Sequence, residues 1–125
     1  MKTFIILDNV NRRVLPQEFQ SDDNRNPEIL IEYFLEQYTK KGDKIIDIYA
    51  GLGTTLFVAE DLGRIPYGIE YDSDRFAYIK SEIQYKENII HGDARNILYQ
   101  RWILLLAPPH TCMSLIWNIT LSQPI

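Results

Sequence analysis

Apolar and polar positions along this chain form alternating blocks that predict strands and helices in turn. Short apolar runs predict strands at residues 44–50, 67–71 and 88–91, and a wholly apolar run predicts a buried strand at 102–107. Between these strands, apolar residues recur at the spacing of one helix face, which predicts helices. Strands that alternate with helices favour a parallel sheet with right-handed crossovers. The pattern therefore predicts an α/β fold.

Residues that commonly cap a helix precede the predicted helices, because a side-chain oxygen there can accept a hydrogen bond from a free backbone N–H. The predicted caps are Asn26, Thr54 or Thr55, and Ser73. The polar stretch 8–25 is predicted as a loop.

Candidate ligand-binding residues fall where the predicted strands end, which is the edge at which parallel sheets bind ligands. Gly51-Leu52-Gly53 allows a tight turn and a close approach of backbone to ligand. Glu70 follows Gly51 by 19 residues and ends the second strand, where a carboxylate can accept hydrogen bonds from two ribose hydroxyls. The alternative is a simple tight turn beside a surface carboxylate. The combined spacing favours a nucleoside-type ligand.

The charge pattern separates two kinds of nucleoside ligand. Leu56 occupies the third glycine position of the dinucleotide fingerprint, and Asp47 would repel a pyrophosphate at the turn. S-adenosylmethionine has no phosphate, and its ammonium group would be attracted to Asp47. Asp93 can accept a hydrogen bond from the adenine amino group, or it can cap a helix that starts at Ala94; the two roles are compatible.

Residues from Asn26 to His110 resemble the S-adenosylmethionine-dependent DNA methyltransferases that methylate adenine N6 or cytosine N4. The cofactor loop of that family reads approximately D-P-F-A-G-x-G-T-T, and residues 47–55 read DIYAGLGTT, with Ile48 and Tyr49 as the departures. YGIEYD at 67–72 resembles its second-strand segment, and NPEILIEYF at 26–34 resembles an upstream helix beside the methionine end of the cofactor.

This resemblance implies a Rossmann-like methyltransferase fold, with a mostly parallel sheet and helices on both faces. It implies S-adenosyl-L-methionine as cofactor and no metal, with Glu70 on the ribose and Tyr71 packed on the adenine. The expected cofactor-binding residues are Asn26, Pro27, Asp47, Tyr49, Ala50, Gly51, Gly53, Thr54, Thr55, Glu70, Tyr71, Asp93 and Ala94.

The expected catalytic loop is Ala107-Pro108-Pro109-His110, where the family has Asp, Asn or Ser, then Pro-Pro, then an aromatic residue. In the family, the polar side chain and the first proline carbonyl accept hydrogen bonds from the target amine, and the aromatic ring stacks on the flipped base. Ala107 has no acceptor, and the loss of one such contact costs roughly 10²–10³ in rate. His110 is planar and can stack. The alternative is that these residues have no catalytic role and only end the strand, since two consecutive prolines end a strand wherever they occur.

The chain has 125 residues, which suits a single domain at 1–125 whose family-like core spans 26–110. The resemblance places three more strands after the Pro-Pro loop, and 15 residues follow His110. We therefore expect a truncated member whose sheet is incomplete on its C-terminal side. Another copy or a partner chain would then cover the exposed sheet edge.

Composition narrows the choice of partners and compartment. The net charge of −4, without a basic patch, indicates that DNA recognition needs further protein elements. Cys112 is the single cysteine, so no internal disulfide can form, and a reducing, cytoplasmic setting fits. No stretch predicts a membrane span. Three functions remain open: a DNA amino-methyltransferase, a non-catalytic S-adenosylmethionine-binding module, and a methyltransferase acting on RNA or a small molecule.

Overall fold

A computed structural model describes residues 6–21 and 23–97. The strands are β1 (Lys44–Asp47), β2 (Ile65–Glu70) and β3 (Ile89–His91). The helices are α1 (Gln17–Gln20), α2 (Glu28–Tyr38), α3 (Thr54–Asp61), α4 (Ser73–Glu82) and α5 (Ala94–Ile97), with a 3₁₀ turn at Lys86–Asn88. The predicted α/β class is confirmed. The predicted strand at 102–107, the sheet edge beside it and the catalytic loop at 107–110 lie outside the described residues.

The three strands form a parallel sheet in the order β1-β2-β3. Asp47 pairs in register with Gly68, and Glu70 pairs with His91. Because the strands run in the same direction, their carboxyl ends meet at one edge of the sheet. The residues that follow each strand are therefore brought together there.

Helix α3 packs directly on this sheet because β2 carries a glycine beneath it. A Cβ atom at Gly68 would lie 2.6 Å from Cδ1 of Leu56, which is closer than side chains tolerate. The dinucleotide fingerprint has a glycine on the helix at the position that Leu56 occupies here. In this chain the small residue is on the strand and the large one on the helix, so close packing is kept without the third glycine of the fingerprint.

The N-terminal segment forms the predicted loop over most of residues 8–25, and it also packs on the core. It contains the short helix α1, and Leu15 is buried in a cluster that includes Phe57 and Ile79. The Arg13 guanidinium lies 3.9 Å from the centre of the Phe57 ring. The prediction of a loop over 8–25 missed this packing because only a few apolar residues, widely spaced, make the contacts.

Buried Glu28 joins that segment to α2. The Glu28 carboxylate accepts hydrogen bonds from the backbone N–H groups of Arg12 at 3.0 Å and Arg13 at 2.9 Å. In return, the Glu28 N–H donates to Oδ1 of Asn11 at 2.8 Å. The predicted cap Asn26 was therefore wrong: Pro27 holds the N-cap position, and a side chain distant in sequence supplies the acceptor.

The predicted N-caps of α3 and α4 were also wrong, because in both helices the N-cap residue comes earlier in the sequence than predicted. Gly53 is the N-cap of α3, with a left-handed backbone at φ 80°, and neither Thr54 nor Thr55 caps the helix. Asp72 caps α4 by accepting a hydrogen bond from the Arg75 N–H at 2.9 Å, in place of Ser73. Adjacent residues of similar capping propensity cannot be separated from sequence alone.

Candidate functional site

The glycine turn after β1 contains two glycines that serve different purposes. A Cβ atom at Gly53 would lie 2.9 Å from both Ile79 and Phe57, so this position must be small for the core to close. Gly51 also has a positive φ, of 58°, but a Cβ atom there would meet nothing within 4 Å. The backbone at Gly51 therefore faces open space, where a ligand can approach it closely.

The Glu70 carboxylate ties this turn to the end of β2. It is buried, and its Oε2 accepts a hydrogen bond from the Gly51 N–H at 2.5 Å while its Oε1 accepts one from the Asp72 N–H at 2.9 Å. A carboxylate has about four lone-pair sites, so roughly two stay free for ligand hydroxyls. The two backbone bonds fix the orientation of the carboxylate before any ligand binds.

Asp47 places a second carboxylate on the other side of the turn. Its side chain is 2% exposed, and its Oδ1 accepts a hydrogen bond from the Tyr49 N–H at 3.0 Å. Burial raises the pKa of Asp47 to about 6, and the nearby charge of Glu70 adds to the rise, although hydrogen bonds from Tyr49 and the Thr55 hydroxyl oppose it. Among the described residues no cation pairs with Asp47.

Two adjoining cavities open at this edge of the sheet, and they share Tyr49, Gly51 and Arg75 as lining residues. The larger is about 500 Å³, and its other lining residues are Ile48, Ile69, Glu70, Tyr71, Gly92, Asp93, Ala94 and Arg95. The smaller is about 230 Å³, and its other lining residues are Asn24, Arg25, Asn26, Asp47, Ala50, Leu52, Thr54 and Thr55. Glu70 therefore lines the larger cavity, and Asp47 lines the smaller one.

The structure brings most of the predicted cofactor-binding residues to these two cavities. The two exceptions are Pro27, which holds the N-cap position of α2, and Gly53, which is buried under the turn. The predicted catalytic residues Ala107, Pro108, Pro109 and His110 lie outside the described residues.

Asp93 has the capping role that was one of its two predicted alternatives. Its Oδ1 accepts a hydrogen bond from the Arg95 N–H at 2.9 Å, at the start of α5. The Arg95 guanidinium also binds it, with Nη2 2.6 Å from Oδ2, and this bond holds the pKa of Asp93 below its ordinary value. The Asp93 carboxylate nevertheless lines the larger cavity, and its contact with adenine stays a prediction.

Sequence reasoning missed the arginines of the site, namely Arg25, Arg75 and Arg95. Arg75 lies in the first turn of α4, the helix that follows Glu70. This position in the sequence could have identified Arg75 as a residue of the site. The first turn of a helix after a parallel strand starts at the ligand-binding edge of the sheet.

The described part of the chain has neither a long apolar helix nor a cluster of metal-ligating side chains. No helix in residues 6–21 and 23–97 is long and apolar enough to cross a membrane. Within the same ranges, no group of three or more His, Cys, Asp or Glu side chains could hold a metal ion.

Comparisons with known proteins give a family match and an alignment with a solved structure. Residues 7–81, more than half of the chain, match the N6_N4_Mtase family, described as DNA methylase. The X-ray structure of YjhP from E. coli aligns with 24% sequence identity and a TM-score of 0.43, over 58% of this chain and 33% of that one. This chain therefore corresponds to about a third of the length of YjhP. No curated protein matches.

Proposed function

The chain belongs to the N6_N4_Mtase family of DNA methylases, and we propose that it binds S-adenosyl-L-methionine and methylates an exocyclic amino group of DNA, adenine N6 or cytosine N4. The observation that carries the proposal is the pair of buried carboxylates, Asp47 and Glu70, on either side of an open glycine turn. Each carboxylate lines one of two adjoining cavities.

The larger cavity suits the adenosine part of this cofactor. Glu70 has oriented acceptors for the ribose hydroxyls. Tyr71 is 76% exposed at the cavity, so its ring is available to pack against adenine. Asp93 is the acceptor proposed for the adenine amino group.

The smaller cavity suits the methionine part. Asp47 is buried there with no cationic partner among residues 6–21 and 23–97, and an ammonium group would supply one. A dinucleotide fits less well, because a pyrophosphate would place about two negative charges beside Asp47. The Asp47 carboxylate therefore favours a cationic ligand over a polyanionic one.

When bound, S-adenosylmethionine supplies an electrophilic methyl group. We propose, from the resemblance alone, that the carbonyl of Pro108 accepts a hydrogen bond from the target amine and that His110 stacks on the base. Ala107 offers no second acceptor, so the amine is held by one contact where the family uses two. DNA recognition is proposed to require further protein elements, since the chain carries a net charge of −4.

The test is a count of tritiated methyl groups transferred from S-adenosylmethionine to DNA, followed by identification of the methylated nucleoside. We expect N6-methyladenine or N4-methylcytosine. The double variant Ala107→Asp, His110→Tyr should be faster than the unaltered chain, by roughly 10²-fold, because the restored acceptor strengthens as the nitrogen attacks.

S-adenosylhomocysteine affinity is the control for this comparison, and it should be equal in the two proteins, because the altered contacts are to the target base. Transfer to RNA in preference to DNA would contradict the proposed substrate. An unaltered chain as fast as the variant would show that no acceptor is needed at position 107. If both proteins bind the cofactor and neither transfers methyl groups, the missing acceptor at Ala107 is not what limits methyl transfer.

A further inference from the structure

Arg75 lines both cavities of the site, at the point where they adjoin. Its backbone N–H donates to Asp72, so its position at the start of α4 is fixed by the helix cap. Its guanidinium makes no hydrogen bond or ion pair with any other residue in the described part of the chain. The side chain is half-buried, so an anion bound beside it would be partly shielded from water.

The other cationic side chains that line these cavities already have partners. The Arg25 guanidinium binds Asp23 through Nε and Nη2, both at 2.8 Å, and donates from Nη1 to the Arg13 carbonyl at 2.8 Å. The Arg95 guanidinium binds Asp93, with Nη2 2.6 Å from Oδ2. Among the described residues that line the cavities, Arg75 is therefore the cation without an anionic partner.

The charges of the smaller cavity match those of an amino acid. Asp47 provides a buried negative charge, and Arg75 provides a positive charge that has no anionic partner among the residues that the structure describes. A free amino-acid end carries one ammonium and one carboxylate. A planar guanidinium can bind a carboxylate through two parallel hydrogen bonds, which gives both strength and directional specificity.

We propose that Arg75 binds the α-carboxylate of the cofactor and so selects ligands with an intact amino-acid end; this inference rests on the function proposed above. Asp47 then holds the ammonium group and Arg75 the carboxylate of the same α-carbon. A nucleoside thioether that lacks the carboxylate would keep its adenosine contacts and lose the contact with Arg75.

A binding cycle tests the inference with two ligands and three proteins. The ligands are S-adenosylhomocysteine and its decarboxylated form, and the proteins are the unaltered chain, Arg75→Gln and Arg75→Lys. In the unaltered chain, removal of the carboxylate should weaken binding roughly 10- to 100-fold, the range of a hydrogen bond to a charged group. In Arg75→Gln the two ligands should bind almost equally, and Arg75→Lys should recover part of the difference because it keeps the charge.

Lys44→Gln is the matched control. It also removes one positive charge, but Lys44 is exposed at the start of β1, at the opposite end of the strand from the site. This control should preserve the full difference between the two ligands. Thermal unfolding of each variant should show an intact fold.

The outcomes separate the two proposals. If neither ligand binds the folded, unaltered chain, the proposed function fails, and the inference about Arg75 fails with it. If both ligands bind the unaltered chain equally, the function stands and the role of Arg75 is wrong. An equal loss of both ligands in Arg75→Gln would also overturn the inference, because Arg75 would then act on the nucleoside or on the fold. An Arg75→Gln protein that binds both ligands as the unaltered chain does, but retains DNA less well, would assign Arg75 to a DNA phosphate instead.

Discussion

Replacement of Asp47 with asparagine is expected to stabilise the fold at pH 8 and, at the same time, to remove most of the affinity for S-adenosylhomocysteine. The carboxylate is buried, and no cation in the described part of the chain pairs with it, so the ionised form is disfavoured in the folded chain. Asparagine keeps an oxygen for the Tyr49 N–H without a charge. A loss of affinity of at least about 100-fold is expected, because the ammonium would then be buried without its counter-charge.

The pKa of Asp47 determines the sign and the pH range of the stability effect. It is raised from 3.8 to about 6 on folding, so the folded chain holds this proton more tightly than the unfolded chain does. The contribution of Asp47 to stability is therefore greatest below about pH 4 and is lost as the pH rises to about 6. A shift of this size corresponds to about 3 kcal/mol, which is the largest gain expected for Asp47→Asn at pH 8.

Urea unfolding at pH 8 and pH 4 measures this effect, and Asp61→Asn is the control. Asp61 is exposed on α3, so its loss removes the same charge without relieving burial. The Asp47→Asn gain should be present at pH 8 and vanish at pH 4, and the control should show neither change. S-adenosylhomocysteine affinity of the unaltered chain should also fall below about pH 6, as the carboxylate becomes protonated. A destabilised Asp47→Asn protein with normal affinity would contradict the role given to Asp47.

A methyl group added at Gly51 should block the cofactor while leaving the fold largely intact. Gly51 has φ 58° and lines both cavities, and a Cβ atom there would meet nothing within 4 Å. Gly51→Ala should reduce S-adenosylhomocysteine affinity by roughly 10- to 100-fold, as expected when an extra methyl group is forced into a fitted space. The left-handed backbone should cost about 1–2 kcal/mol of folding stability.

Gly42→Ala provides a matched comparison within the same chain. Gly42 has φ 89°, and a Cβ atom there would likewise meet nothing within 4 Å, but Gly42 lines neither cavity. The two variants should lose similar stability in urea unfolding, and only Gly51→Ala should lose affinity in titration calorimetry. Equal affinities for the two variants would show that no ligand approaches the backbone at Gly51.

The order and type of the helices and strands from residue 26 to residue 91 could be predicted because each is specified locally; the 3₁₀ turn at Lys86–Asn88 was not predicted. Apolar runs separated by glycine turns predicted β1, β2 and β3 in a parallel sheet, which the structure confirms. Capping could not be predicted as well, because the acceptor for α2 is Asn11, whose proximity to Glu28 depends on packing of the N-terminal segment. Contacts distant in sequence leave no periodic signal.

For the site, the sequence showed which residues reach the sheet edge but not what each one contacts there. Asp47 and Glu70 were predicted from their places at the ends of the strands. The structure adds that Asp47 is buried with no cationic partner among the described residues, while Glu70 is held by two backbone N–H groups. Arg75 was missed because an arginine in a first helical turn is ordinary in sequence. Its significance comes from its lack of a partner within residues 6–21 and 23–97, which depends on the positions of Arg25, Arg95 and their carboxylates.

Titration calorimetry of the unaltered chain with S-adenosylhomocysteine and with oxidised nicotinamide adenine dinucleotide tests the central claim most directly. The two ligands share an adenosine, so the comparison isolates what is attached to it: an amino acid in one and a pyrophosphate in the other. Glu70 can bind the ribose of either ligand, whereas the buried carboxylate of Asp47 predicts saturable binding of S-adenosylhomocysteine and no measurable binding of the dinucleotide. Tight binding of the dinucleotide, with no response to S-adenosylhomocysteine, would contradict the account.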